Sequence, residues 1–438
     1  LWSTPFLALF LALIFTTPDF SYTGKLIYAF VIYFCLTLAY TANNVPYGAL
    51  MGVMTDSVKE RASLSSFRFI GAFAGGMLVM TTMPALVAML GKGDQAVGYQ
   101  YTMLIFAALL TVFMLITYKS TKERIQAPTQ PDGSLWTEMK DLFTNLPVIL
   151  IPVLGISVMI ISLAQNNWPS TYKYTALVFM LLCFLFSVYL RNKIIAKPRE
   201  HLSNTQKDLA DLLTNNPWLI LLCIGIMFGL FTVVRPSAAS YYFMYYLKRP
   251  DLIGIYFFLT LAASLVAAIA TGWLSNRFNK RTLMIAAFSL GSVFNGAIYF
   301  VAPDNIYTMM TLATIGEFFA GMMPVLFFSM LGDTVDYSEW KNHRRATGLI
   351  YSAGTFINKT GHGFAGAMVL IVLGMYGYDA KVESTIIDSL PGMVLLMSGI
   401  PVVIGITGTI FTLLYTLDDK KMKRIENDLI VRRQQNAG

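Results

Sequence analysis

The stretch IYTMMTLATIGEFFAGMMPVLFFSML, residues 306–331, decides the fold class of this chain. Its one charged side chain is Glu317, and it is long enough to cross a bilayer core of roughly 30 Å, which takes about 20 apolar residues. Eleven further segments have the same character. The twelve predicted spans are 1–16, 26–53, 64–90, 98–118, 147–164, 174–190, 217–234, 252–274, 282–301, 306–331, 347–374 and 391–416. The sequence therefore predicts an all-α polytopic membrane protein.

The overall composition indicates the same class of protein. Of 438 residues, 56% are hydrophobic and 13% are charged, against about 25% charged residues in an ordinary soluble domain. The three cysteines lie inside apolar runs and the three histidines are scattered, so neither a disulfide framework nor a metal centre is predicted. No nucleophile–base set follows from the spacing, and the basic residues occupy short loops. We therefore expect neither an enzyme nor a nucleic-acid-binding protein.

The distribution of basic residues predicts the orientation in the membrane, because cytoplasmic loops carry an excess of lysine and arginine. With the first span starting in the cytoplasm, most of the 32 basic residues fall in cytoplasmic loops and in the tail. The outer loops receive only a few, among them Arg235. Both ends of the chain are thus predicted to face the cytoplasm, in the inner (plasma) membrane of a bacterium.

Residues 141–147 (DLFTNLP) and residues 211–217 (DLLTNNP) repeat one pattern. Each copy is typical of an amphipathic cytoplasmic segment that leads into a span opened by proline. We therefore interpret the spans 147–164 and 174–190 as an inserted pair. Because the number of added helices is even, the topology of the later spans is unchanged.

Five polar or ionisable side chains fall inside predicted spans, where a charge costs from about 2.5 kcal/mol upward and therefore suggests a function. They are Asn44, Arg68, Glu317, Lys359 and His362. Lys359 is too deep to reach the interface easily and is predicted to act in binding or coupling. Arg68 lies near the end of its span, so it either extends to the cytoplasmic interface or has a functional role inside the membrane. Glu317 is either a proton or cation site or a structural partner of Lys359 or another base, and His362 is either a packing residue or a functional one.

Two further groups of side chains suit a sugar. The run YYFMYY, residues 241–246, is either an interface belt or an aromatic platform for a sugar ring, with Tyr241 and Tyr245 as its candidates. In NNVPYG, residues 43–48, the amides offer donors and acceptors to hydroxyl groups without the cost of burying a charge.

Mixed charges cluster in three loops, at residues 56–61, 272–281 and 333–340. Acidic residues contribute little to orientation, so their presence there calls for another explanation. We predict ion pairs that close the cytoplasmic side and break when it opens. The candidate gating residues are Asp56, Arg61, Arg277, Asp333 and Asp336.

Three stretches carry a family resemblance. They are YTANNVPYGAL (40–50) with the Arg68–Phe69 pair, GDTVDYSEW (332–340) with RRATGLIYS (344–352), and KTG (359–361) with LGMYGY (373–378). In these stretches the chain resembles the glycoside–pentoside–hexuronide:cation symporters of the major facilitator superfamily. The resemblance covers nearly the whole chain outside residues 130–200.

The resemblance implies two six-helix bundles around a central cavity, alternating access, and sugar uptake driven by Na⁺, H⁺ or Li⁺. It implies that Lys359 is the family's membrane lysine and Arg68 its sugar-side arginine. Asn44 falls at a sugar-binding position, and Thr41 matches a hydroxyl near the cation site. It also implies that the first span corresponds to the family's third helix. The usual first two helices are then lacking, and the inserted pair restores the total of twelve.

The expected organisation has four parts. Residues 1–125 form the remainder of an N-terminal bundle, residues 126–205 a cytoplasmic linker with the inserted pair, residues 206–418 a C-terminal six-helix bundle, and residues 419–438 a cytoplasmic tail.

The predicted function is symport of a glycoside or short oligosaccharide across the lipid bilayer, coupled to Na⁺ or H⁺. The predicted substrate-binding residues are Asn44, Tyr47, Arg68, Lys359, Tyr241 and Tyr245, and the predicted cation-coupling residues are Thr41, Lys359 and Glu317. Two alternatives stay open: a lysophospholipid-like lipid transporter of the same fold, and a non-transporting fragment or receptor. No cofactor is predicted.

Overall fold

The computed structural model describes residues 2–16, 18–55, 57–124, 147–164, 169–196, 204–378 and 382–437. Within these ranges the chain forms α-helices, a π-helical segment (Tyr242–Tyr246), two short 3₁₀ segments (Pro250–Leu252 and Ile298–Phe300) and no strand. The helices are α1 (Thr4–Leu13), α2 (Tyr22–Leu50), α3 (Val58–Gly91), α4 (Gln95–Ser120), α5 (Pro147–Ala164), α6 (Ser170–Ile195), α7 (Asn204–Leu213), α8 (Asn216–Tyr241), α9 (Ile253–Leu274), α10 (Lys280–Ala297), α11 (Ile306–Asn342), α12 (Thr347–Met375), α13 (Glu383–Met397), α14 (Gly399–Leu414) and α15 (Asp419–Ala437).

In the described part of the chain, 10 segments are helical, long and apolar enough to cross a membrane. The sequence predicts twelve. The predicted span 1–16 forms only the 10-residue helix α1, which at about 1.5 Å per residue covers about half of the bilayer core. The predicted span 147–164 forms α5, an 18-residue helix with Pro152 in its interior, and α5 is not among the ten. The last predicted span starts earlier than residue 391, because α13 begins at Glu383 and α14 follows a break at Ser398.

Helices α1–α4 form one group, in which α1 packs against α2 and α4, and α3 packs against α4. Capping explains where two of these helices begin. The Ser57 side chain accepts a hydrogen bond from the backbone N–H of Glu60 at the start of α3, and Asp94 caps α4 in the same way. Because α3 starts at Val58 and not at the predicted residue 64, Arg68 lies well inside the helix.

Helices α8–α14 form a second group, which contains most of the buried hydrophobic side chains of the described residues. Here α8 packs along α12, α11 packs against α9 and α10, and α14 packs against α8 and α10. The two groups meet where α3 contacts α9 and α11 and where α2 contacts α12. These contacts surround a central cavity.

The predicted inserted pair, α5 and α6, packs chiefly as a hairpin, with further contacts from α5 to α12. The Ser187 hydroxyl donates to the backbone carbonyl of Val148 at 2.6 Å. Of the repeated sequence pattern, residues 141–146 lie outside the described residues. In the second copy, Asn215 caps α8 by accepting a hydrogen bond from the backbone N–H of Trp218 at 3.1 Å.

Candidate functional site

A cavity of about 720 Å³ lies between the two helix groups, within the range of about 300–1,000 Å³ that is usual for small-molecule sites. Helices α2 and α3 of the first group line it together with α8, α9, α11 and α12 of the second. Its polar and charged lining residues are Tyr40, Asn44, Tyr47, Arg68, Thr232, Thr260, Ser264, Glu317, Thr355, Asn358, Lys359 and His362. A ligand in the cavity would therefore contact both groups.

One face of α2 forms a wall of the cavity. Tyr40, Asn44 and Tyr47 follow one another at intervals of four and three residues, which places them on the same side of a helix. The Lys359 ammonium lies 5.7 Å from the Tyr40 ring centre, and the Arg68 guanidinium carbon lies 4.9 Å from the Tyr47 ring centre. Both are cation–π distances. Seven residues of helix span about 10 Å, so the two cations stand at the ends of this wall with Asn44 between them.

The Arg68 guanidinium is held by aromatic rings. Its central carbon lies 4.7 Å from the Phe328 ring centre and 5.7 Å from the Phe69 ring centre. Its Nη1 is buried and has no hydrogen-bond partner. Arg68 thus lines the cavity instead of extending to the membrane interface, and it retains donors for a ligand.

Helix α12 adds four polar side chains to the cavity, from Thr355, Asn358, Lys359 and His362. Asn358 is 6% exposed, and both its Nδ2 and the Nε2 of His362 are buried without a hydrogen-bond partner. Buried polar atoms are normally satisfied, so such atoms in a cavity wall indicate a place for water or a polar ligand. A sugar offers hydroxyl groups that can both donate and accept.

Glu317 pairs with Arg235 and not with Lys359. The Arg235 Nη2 donates to Glu317 Oε2, and the Ser264 hydroxyl donates to Glu317 Oε1 at 3.2 Å. Two donors from α8 and α9 therefore hold a carboxylate of α11 at the cavity wall.

The sequence interpretation of Arg235 as an outer-loop residue is wrong. Helix α8 continues past the predicted end at residue 234 and through Pro236 to Tyr241, so Arg235 lies inside the helix and is 2% exposed. Its Nη1 donates to the Asn295 side-chain oxygen at 2.6 Å and to the backbone carbonyl of Ala313 at 2.9 Å. Membrane helices contain proline more often than soluble helices do, and Pro236 lies inside α8.

A second charged cluster, the ion-pair network, joins the two helix groups away from the cavity. Arg61 of α3 is 0% exposed and donates to Asp333 Oδ1 at 3.2 Å and to Asp336 Oδ2 at 2.6 Å. Arg345 donates to Asp336 Oδ1 at 3.0 Å, and Lys280 donates to Asp333 Oδ2 at 2.8 Å. Each aspartate of α11 thus has two basic partners, one of them from the first helix group.

The ion-pair network contains three of the five predicted gating residues. Arg277 instead lies 4.3 Å from the Trp273 ring centre, and Lys280 on the following helix supplies the charge opposite Asp333. Asp56 lies outside the described residues. The sequence predicts ion pairs in the loop that contains Lys280, but neither Lys280 nor Arg345 is among the predicted gating residues. The spacing of Asp333 and Asp336 indicates that further basic partners are needed. A separation of three residues places both aspartates on one helix face, where each buried carboxylate needs a cation.

Three predicted site residues do not line the cavity. Tyr241 and Tyr245 contact Tyr378, with ring centres 5.5 and 6.0 Å apart. Thr41 donates to the backbone carbonyl of Thr37 at 2.8 Å, within its own helix. The cavity therefore brings together Asn44, Tyr47, Arg68, Lys359 and Glu317 from the predicted set.

A polytopic helical chain with a charged cavity between two helix groups defines a membrane transporter. Residues 1–162 and 148–419 match the family described as MFS/sugar transport protein. The chain belongs to this family of the major facilitator superfamily, and it is a transport protein, not an enzyme.

Individual relatives are similar over most of the chain. YagG of Escherichia coli (strain K12), named as a candidate glycoside/cation symporter, is 29% identical over 99% of this chain and 79% of its own length. The uncharacterized symporter YnaJ of Bacillus subtilis (strain 168) is 28% identical over 95% of this chain and 75% of its own length. The isoprimeverose transporter of Lactiplantibacillus pentosus is 26% identical over 87% of this chain and 66% of its own length. These findings confirm the family resemblance inferred from the sequence motifs.

Proposed function

We propose that this protein carries a glycoside or short oligosaccharide across a bacterial inner membrane by cation-coupled symport. The observation that carries the proposal is the central cavity, which draws on both helix groups and holds unpaired polar atoms of Arg68, Asn358 and His362. The names of the relatives, a candidate glycoside/cation symporter and an isoprimeverose transporter, support the class of cargo and the coupling to a cation.

The sugar binds along the α2 wall of the cavity. Asn44 donates to and accepts from hydroxyl groups, the Tyr47 ring packs on the apolar face of the sugar, and Arg68 donates its free N–H groups. Lys359 closes the other end of the wall and links the sugar to the coupling ion, because a bound cation repels its ammonium group. The coupling free energy between two linked sites is typically about 1–3 kcal/mol.

The ion-pair network closes the cytoplasmic side. Arg61 connects the first helix group to Asp333 and Asp336 of the second, so these pairs must break when the groups separate at that end. Both chain ends face the cytoplasm in this proposal. The burial of Arg235 supports that orientation, since it leaves the outer loops with fewer basic residues.

Thermal unfolding of the purified protein tests the proposal. The panel contains isoprimeverose, a pentoside, a hexuronide and α- and β-galactosides, with and without Na⁺ at several pH values. A ligand that binds only the native state stabilises it by RT ln(1 + [L]/Kd), so one sugar should raise the melting temperature selectively and a cation should increase that rise. No shift with any sugar, together with a shift by a lysophospholipid, would instead favour the lipid transporter.

A further inference from the structure

We propose that Glu317 is a proton-binding site of this transporter, that H⁺ is the coupled ion, and that Arg235 positions the carboxylate. The coupling part rests on the proposed function, since a coupled ion requires a transported solute. The proton-binding part stands on the geometry around Glu317 alone.

Glu317 lies between the cavity and a buried guanidinium. Its side chain lines the cavity, while Arg235 lies behind it and does not. Among the described residues that line the cavity, Glu317 supplies the one carboxylate, whereas Arg68 and Lys359 supply cations. Glu317 is therefore the acidic group there that a proton can reach from the cavity.

The surroundings of Glu317 suit a proton better than Na⁺. An alkali cation needs several oxygen ligands at once. Glu317 Oε2 already accepts from Arg235 Nη2, and Ser264 donates to Oε1. A cation bound at this carboxylate would lie beside a guanidinium and be repelled, whereas a proton needs a single lone pair of one oxygen.

Arg235 keeps neutral partners when Glu317 is protonated. Its Nη1 donates to Asn295 and to the backbone carbonyl of Ala313, and neither acceptor changes charge. Gly316 makes this arrangement possible, because a Cβ at that position would overlap with the Asn295 side-chain oxygen. The guanidinium therefore stays in place in both protonation states, and the Glu317 side chain is the part that changes.

The other charged or titratable groups near Glu317 decide when it takes a proton. Arg235 and, across the same cavity, Arg68, Lys359 and a protonated His362 favour the ionised carboxylate. Tyr256 of α9, whose buried hydroxyl has no hydrogen-bond partner, lies within electrostatic reach of both Arg235 and Glu317. Desolvation acts in the opposite direction, because burial disfavours a charge.

Sugar binding shifts this balance toward the protonated form. A sugar that fills the cavity removes the water that solvates the ionised carboxylate, and a protonated Glu317 can donate to a sugar hydroxyl. The proton comes from water on the outer side, bonds to a Glu317 carboxylate oxygen, and leaves to cytoplasmic water after the sugar is released. By linkage, a proton then raises sugar affinity by the same factor by which the sugar raises proton affinity.

Infrared spectroscopy tests proton binding without any substrate. Spectra of the purified protein in liposomes are recorded from acidic to alkaline pH, and the carbonyl band of protonated carboxylic acids is followed. Glu317→Gln should remove one titrating component, whereas Asp304→Asn, at an exposed carboxylate before α11, should leave that component in place. Ser264→Ala should raise the titration midpoint by about one pH unit, because it removes a hydrogen bond to the ionised form. Identical titrations of the wild type and Glu317→Gln would overturn the proposal.

Transport of isoprimeverose into proteoliposomes tests the coupling. Wild-type uptake should accelerate with an inward proton gradient and not with a Na⁺ gradient. In Glu317→Gln, uptake should proceed at the same rate with and without the proton gradient, because the amide cannot take up a proton. Na⁺-driven wild-type uptake, or a Glu317→Gln variant that still responds to the proton gradient, would overturn H⁺ coupling at this residue. Absence of any isoprimeverose transport by the wild type would count against the proposed function, while the infrared titration would still decide whether Glu317 binds a proton.

Discussion

The Arg61 guanidinium lies 3.2 Å from the Asp333 carboxylate, although 272 residues separate them in the chain. This pair joins α3 to α11, and therefore the first helix group to the second. The side chains of the two residues are 0% and 5% exposed. A buried pair of this kind is costly to form but more costly to break on one side only, so it suits a contact that opens and closes as a unit.

Replacement of Arg61 by glutamine should destabilise the protein strongly. Asp333 and Asp336 each lose a partner in a buried site, and removal of one member of a buried ion pair typically costs about 3–5 kcal/mol. Thermal unfolding in detergent measures the effect. Arg277→Gln is the matched control, because Arg277 stacks on Trp273 outside the ion-pair network. Equal melting temperatures for the two variants would contradict this account.

Gly332 should not tolerate a side chain. A Cβ at this position would overlap with the Cδ of Arg61, so Gly332→Ala has to displace Arg61 from its aspartates. Overpacking of this kind typically costs about 1–3 kcal/mol. At Gly363 of α12 a Cβ meets nothing within 4 Å, and Gly363→Ala should be neutral or stabilising because alanine favours helix. Thermal unfolding of both variants measures the difference in stability. An unchanged melting temperature of Gly332→Ala would refute the steric argument.

Lys359 should be needed for coupling more than for binding. In Lys359→Ala, gradient-driven accumulation of isoprimeverose should be lost while the sugar still stabilises the protein against heat. Lys25→Ala, at an exposed residue of α2, should keep both properties. Proteoliposome uptake and thermal unfolding measure the two separately. Unchanged accumulation in Lys359→Ala would show that the residue has no part in coupling.

The Tyr47 ring should contribute to sugar affinity, because it packs on the sugar and holds Arg68 at the cavity wall. Tyr47→Leu removes the cation–π contact at 4.9 Å, which is typically worth about 0.5–2 kcal/mol. The affinity for isoprimeverose should then fall by roughly 2- to 30-fold. Titration calorimetry gives the affinity directly. Tyr118→Leu serves as the control, since Tyr118 of α4 is 65% exposed and does not line the cavity, and a similar loss in both variants would exclude a specific role of Tyr47.

The predictability of the candidate site differs from residue to residue. Asn44, Arg68, Glu317 and Lys359 could be selected because polar groups stand out in apolar spans, and all four line the cavity. The aromatic run was ambiguous, since tyrosines also form interface belts, and Tyr241 packs on Tyr378 instead. Which faces of the helices meet depends on packing between distant segments, and hydropathy does not report that.

The amino-acid sequence is enough to define the class of protein, because the hydrophobic thickness of a bilayer requires long apolar segments whatever their arrangement. It also determined which side chains are costly to bury and therefore need a partner or a function. The packing of the helices selects those partners. It placed Arg235 inside α8 against Glu317 and brought Lys280 to Asp333. Such pairings arise because a buried charge must be met by whichever opposite charge the packing of distant helices brings within reach.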